Sequence, residues 1–199
     1  EECDARMYDS RRDSYCGMLN CSYNLGIRKI KAHIPRYPVG TCEDIVKAIK
    51  KFIPMARALI GLKHLKIITF GPRPDEFVAC NAPIQGLYDL GVAVQENSEL
   101  DLLLAFNRHE GDERIPAVAE DMRRELGNDK YKESLPAMAQ YELTLLDWIE
   151  ENKGTRDYVV FANKCWPAFQ QAFQFLPCYV HGRLAGRGIS VACETDVYG

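Results

Sequence analysis

The sequence predicts an α/β fold, a mostly parallel sheet flanked by helices, with an N-terminal helical piece of a preceding domain. Three observations carry this. Short apolar runs of strand length recur at residues 65–70, 92–96, 157–162 and 189–193. Amphipathic stretches of helical length separate them. Polar or glycine-containing turns follow the runs, and alternation of this kind builds parallel sheets.

The elements follow in order. Residues 5–25 have an untidy amphipathic pattern with Gly17 in the middle, and read as a helix. Residues 30–38 carry Pro35 and Pro38 and form a connector, extended in part. A helix starts at Thr41 or Cys42, with Glu43 and Asp44 suiting its N-terminus. Ile45, Ile49, Phe52, Ala56, Leu59 and Ile60 recur along it at helical spacing, and it ends at residues 61–63.

Residues 65–70 form a buried strand, followed by the turn Gly71-Pro72-Arg73-Pro74-Asp75. A helix from about Pro74 carries Phe77, Val78 and Ile84 toward Leu87 and Leu90, and Gly91 closes it. Residues 92–96 form the second strand. Asn97 or Ser98 caps a helix over residues 99–106, and 107–112 is a polar loop. Two helices follow, over 115–126 and 131–151. Residues 157–162 are the third strand and 166–173 a helix. Residues 178–180 read as a short extended piece and 181–185 as a short helix. Residues 189–193 are the last strand, with Glu194 at its end.

Composition narrows the function classes. Hydrophobic residues make up 47% of the chain, enough for a real core. The net charge is −3 and the basic residues are scattered among acids, so no nucleic-acid partner is expected. No apolar run reaches the roughly 20 residues of a membrane helix. The start, Glu1-Glu2-Cys3-Asp4, lacks the basic and apolar regions of a signal peptide. Neither end reads as a natural terminus, so an excised piece is expected. The eight cysteines (Cys3, Cys16, Cys21, Cys42, Cys80, Cys165, Cys178, Cys193) form no CxxC, and several sit in apolar contexts. They read as reduced, buried thiols in a cytoplasmic protein.

Parallel sheets bind ligands at the carboxyl ends of their strands. Glu194 and Asp196 sit there, directly after the last strand. They read either as rim carboxylates, able to bind a divalent metal or shuttle a proton, or as surface turn acids. In an extended chain both would point the same way. Asn163-Lys164-Cys165-Trp166-Pro167 follows the third strand. There Lys164 and Gln170 suit hydrogen bonds to sugar hydroxyls, and Trp166 suits stacking on a sugar face. Packing is the competing reading for Trp166, and an inert thiol for Cys165. Gly71-Pro72-Arg73-Pro74 reads as a structural turn, with anion binding at a helix N-terminus as the alternative. His33, His64, His109 and His181 form no HxH or HExxH pattern, and GxSxG and GxxxxGK[ST] are absent.

Two segments resemble the L-fucose/L-arabinose isomerase superfamily, in its fucose-isomerase-like branch. One is Val160-Phe161-Ala162-Asn163-Lys164-Cys165-Trp166-Pro167. The other runs from Pro177-Cys178 through Arg183-Leu184 to Gly188-Ile189-Ser190-Val191-Ala192-Cys193-Glu194-Thr195-Asp196-Val197-Tyr198-Gly199. Arg12-Asp13-Ser14-Tyr15-Cys16-Gly17 and Ile68-Thr69-Phe70-Gly71-Pro72-Arg73-Pro74 fit as well.

The resemblance implies three domains. Residues 1–40 are then a remnant of the N-terminal one and 41–199 the Rossmann-like middle one, with the C-terminal domain missing. It implies a metal-dependent aldose–ketose isomerase acting on a sugar such as L-fucose or L-arabinose through an enediol, with a divalent metal, Mn(2+), as cofactor. Glu194 matches the family's catalytic glutamate, a metal ligand that takes part in proton transfer. Lys164, Trp166 and Gln170 fall in a substrate-facing segment. A homo-oligomer of the full chain is implied, and the piece alone is expected to be inactive. A non-catalytic sugar-binding or regulatory module of the same fold is the alternative. A nucleotide-dependent oxidoreductase is disfavoured by the missing glycine-rich fingerprint.

Overall fold

The computed structural model describes residues 14–36 and 40–199. Cys3, Arg12, Asp13, Pro38 and the first part of the helix expected from residue 5 lie outside them. The chain divides into two compact units, Glu1–Ala58 and Leu59–Gly199.

The first unit holds α1 (Ser14–Ile27) and most of α2 (Cys42–Leu62). Thr41 starts α2 reciprocally. Its hydroxyl accepts the Asp44 N–H at 3.3 Å, while an Asp44 carboxylate oxygen accepts the Thr41 N–H at 3.1 Å. No residue of α2 is buried, and its apolar stripe of Ile45, Ile49, Phe52 and Met55 is open.

The second unit is the α/β layer that the sequence predicts. Its strands are β1 (Leu65–Phe70), β2 (Ala93–Asn97), β3 (Tyr158–Asn163) and β4 (Val191–Ala192). All pairings are parallel, in the order β2-β1-β3-β4. The helices are α3 (Gln85–Asp89), α4 (Glu99–Arg108), α5 (Ile115–Leu126), α6 (Leu135–Asn152), α7 (Ala168–Phe173) and α8 (Cys178–Gly186).

Side-chain alternation sorts the strands onto two faces. Ile68, Phe70, Val159 and Phe161 point into the larger core, with Leu102, Met122, Tyr141, Leu145, Phe169 and Leu184 from α4 to α8. Ile67 and Ala162 point into a smaller cluster with Leu87 of α3 and Val92. Among the described residues no helix is long and apolar enough to cross a membrane.

Four local expectations change. The continuous helix over 74–90 is instead a 3-10 turn, Val78–Cys80, and the five-residue α3. Pro83 explains the break, because it disfavours helical geometry at Ala82 and supplies no N–H. The extended piece at 178–180 is helical: Pro177 caps α8, which runs without interruption through the 181–185 segment. Helix α6 starts at Leu135, not at 131, with Pro136 in its first turn. Strand β4 covers two residues of the five expected, starting at Val191, and at its far end the chain turns into left-handed geometry at Glu194.

Buried charge joins α5, α6 and α8. The Arg183 guanidinium donates to Glu142 at 2.8 Å and Asp121 at 2.9 Å, and also to Glu125. Glu142 is 1% exposed and takes a further bond from Arg187 at 2.8 Å. Ser98 caps α4 through a capping box with Asp101.

Candidate functional site

The strand order sets where a site can form. From β1 the chain steps to β2 on one side and then returns to β3 on the other. The two crossovers leave a crevice outside the carboxyl ends of β1 and β3, the usual ligand position in a doubly wound sheet. A cleft of about 630 Å³ lies there, lined by Thr69, Gly71, Arg73, Glu96, Lys164 and Thr195 among others. All four strands or the turns that follow them contribute to it.

Each wall has a local reason for its shape. The Gly71 N–H donates to the Asn97 carbonyl at 3.0 Å, which ties the ends of β1 and β2 together. Arg73 is tethered by one guanidinium nitrogen to the carbonyls of Pro74 (2.8 Å) and Asp75 (2.6 Å). Lys164 reaches Glu99 across 3.3 Å. The other Glu99 oxygen, Oε1, is buried with no hydrogen-bond partner among the described residues.

Asn163 ends β3 and is fully buried. Its side-chain oxygen accepts the Lys164 N–H at 2.7 Å and its carbonyl accepts the Thr195 N–H at 3.1 Å. Its amide donates to the Tyr141 hydroxyl oxygen. Burial pushes the Tyr141 phenol well above its ordinary range, so it keeps its proton. That hydroxyl lies 3.1 Å from Nε2 of His181, whose pKa burial pushes down to about 4. With the phenolic proton directed at Nε2, the imidazole proton sits on Nδ1, which is buried with no hydrogen-bond partner among the described residues. A polar chain thus runs from the core to the rim behind Lys164 and Thr195.

Glu194 follows β4 in the left-handed region, φ +61°, and Thr195 follows it at φ +56°. Two successive non-glycine residues there are unusual, the β-branched one most of all, and neighbouring contacts must hold them. The Thr195 N–H bond to Asn163 and the Asp196 N–H bond to Cys193 (3.1 Å) do so. The geometry overturns the expectation of an extended Glu194–Asp196 pair. Asp196 turns onto its own backbone and accepts the N–H groups of Tyr198 and Gly199, each at 3.1 Å. Glu194 instead accepts the Trp166 indole N–H at 3.1 Å on Oε2.

The residues singled out from sequence separate into three positions. Trp166 meets Glu194 directly. Lys164 lines the neighbouring cleft. Gln170 is exposed on α7, and its carbonyl accepts the Gln174 N–H at 3.1 Å; it is not among the residues lining the cleft. Cys165 is no activated thiol: burial raises its pKa to about 11. Glu99 and Tyr141 join the rim network without any sequence signal beyond ordinary helix positions.

Metal ligation was also expected here. A glutamate oxygen suits a hard divalent ion. Among the described residues, however, the one group of three His, Cys, Asp or Glu with converging ligand atoms is His109, Asp112 and Asp147, and Glu194 is not in it. Arg114 occupies that group, 2.5 Å from Asp112 and 2.6 Å from Asp147, so it is an ion-pair network. Among the described residues, Glu194 therefore converges with no two other groups of this kind.

Residues 1–63 match the family described as fucose/sulfoquinovose isomerase, N-terminal domain. Over 151 residues, 74% of this chain, the sequence is 26% identical to the sulfoquinovose isomerase of Priestia aryabhattai. The same figures hold for the sulfoquinovose isomerase of Priestia megaterium (strain ATCC 12872 / QMB1551). The chain spans about a third (32%) of the length of the curated relatives it matches. The chain is thus similar to fucose/sulfoquinovose isomerases, through the matched N-terminal segment and through the two relatives.

Proposed function

We propose that the chain is part of a metal-dependent aldose–ketose isomerase in which Glu194 carries the proton between the two carbons of an enediol. The observation that supports this most is Glu194 itself, held in left-handed geometry at the carboxyl edge of the sheet, beside the cleft and in contact with Trp166. The carbon acid alpha to an aldehyde is weak, and its removal needs a fixed base. A divalent ion such as Mn(2+), when bound, supplies charge that stabilises the developing oxyanion. Glu194 offers it one oxygen; the other ligands come from outside the described residues.

The substrate on this reading is a monosaccharide. L-fucose and L-arabinose follow from the motif resemblance, and sulfoquinovose from the names of the relatives. Lys164 and Arg73 in the cleft suit hydroxyl or anionic substituents. The complete protein is proposed to be a homo-oligomer with a further C-terminal domain.

A second reading, a sugar-binding module without catalysis, is favoured by Glu194 converging with no two other such groups among the described residues. Assaying the complete gene product with Mn(2+) in deuterated water separates the two. An enediol isomerase yields ketose and exchanges deuterium into the carbon next to the carbonyl. A binding module leaves the sugar unlabelled and unconverted.

A further inference from the structure

The sequence leaves Trp166 between stacking on a sugar face and packing, and in the structure its polar edge is already engaged. The indole nitrogen lies 3.1 Å from Oε2 of Glu194. Among the described residues no other donor reaches that carboxylate. The ring is itself placed by an edge-on contact with Phe77, centroids 5.9 Å apart. Both strand ends are tied to Asn163: the Lys164 N–H, two residues before Trp166, donates to its side-chain oxygen, and the Thr195 N–H, next to Glu194 in the left-handed turn, donates to its carbonyl.

The chemistry of the pair is one-directional. An indole N–H donates and cannot accept, so it can hold only an acceptor oxygen. A glutamate side chain has three rotatable torsions, and fixing its backbone leaves the carboxylate free to swing. One rigid donor on Oε2 removes that freedom and leaves Oε1 for the reaction. We propose that Trp166 is a positioning residue that orients the Glu194 carboxylate, and not principally a platform for the sugar. This rests on the isomerase reading above for its catalytic consequence, but the bond itself can be tested without it.

The test has two arms. The chain has two tryptophans, Trp148 and Trp166, and so two indole N–H resonances in a proton–nitrogen NMR spectrum. Glu194→Gln replaces the charged acceptor and is expected to move the Trp166 indole resonance, assigned through Trp166→Phe, while Trp148 stays. In the complete gene product, Trp166→Phe keeps a ring and removes the donor. It is expected to lower kcat about 10–100-fold, the range for partners that orient a functional ligand, with KM little changed. A melting curve reports whether that variant is folded. An unmoved Trp166 indole in Glu194→Gln overturns the proposal, as does a Trp166→Phe enzyme with raised KM and unchanged kcat. If the unaltered protein makes no ketose from any sugar, the isomerase reading falls, and the NMR arm alone decides whether the indole holds Glu194.

Discussion

A Cβ added to Gly71 would lie 2.7 Å from Oγ1 of Thr195, closer than real Cβ atoms approach. Gly71 has φ +146°, a conformation that L side chains rarely adopt, and Thr195 is the second residue of the left-handed turn that presents Glu194. The turn after β1 and the turn after β4 are therefore packed backbone against side chain, and this contact sets the edge of the cleft. Gly71→Ala is expected to cost more than about 1 kcal/mol, because backbone strain and collision add. Gly111, at φ +76° with nothing within 4 Å of an added Cβ, gives the comparison. Gly111→Ala carries the backbone cost alone. Denaturant midpoints for the two variants check this, and equal losses would remove the contact from the account.

His181 gives the fold a pH dependence whose sign follows from burial. Its pKa falls from an ordinary 6.5 to about 4 in the folded state. The unfolded chain therefore takes up the proton first as the pH drops. Stability is complete above about pH 6.5 and is lost as the pH falls toward 4, by about 3 kcal/mol in all. His181→Gln keeps an acceptor for the Tyr141 hydroxyl and removes the titration. Denaturation midpoints between pH 4 and 6.5 should be flatter for the variant than for the unaltered chain. An unchanged slope would place the acid sensitivity elsewhere.

Arg183 is the hub of the charge network between α5, α6 and α8. Removing it leaves Glu142, 1% exposed, with Arg187 as its remaining cation. Arg183→Met is expected to cost about 3–5 kcal/mol, the range for breaking a buried pair from one side. Glu142→Gln keeps the shape and removes the buried charge, so its loss should be smaller. Urea unfolding of both variants measures this. A larger loss for Glu142→Gln than for Arg183→Met would contradict the uncompensated-charge argument.

Much of the sheet was legible because buried parallel strands are short apolar runs. Residues 65–70 and 115–126 match their elements to the residue, and of the two cap candidates Asn97 and Ser98 it is Ser98 that caps α4. The misses have local causes. The apolar spacing of Phe77, Val78 and Ile84 is helical, but Pro83 interrupts it. Residues 178–180 are apolar and short, and such a segment reads equally well as strand or helix. The position of Glu194 at the rim was legible from the end of β4, and its left-handed backbone was not. That geometry comes from the Asn163 and Gly71 contacts, which are distant in sequence. The Tyr141–His181 pair was hidden for the same reason, since its members are 40 residues apart.

The central claim is that Glu194 moves the proton in a sugar isomerisation. Ketose formation from a panel of aldoses, with L-fucose, L-arabinose and sulfoquinovose included and Mn(2+) added, tests it most directly when the complete gene product is compared with its Glu194→Gln variant. The account predicts ketose from at least one sugar with the unaltered protein and none measurable with a folded Glu194→Gln protein. Equal ketose formation by both would contradict it.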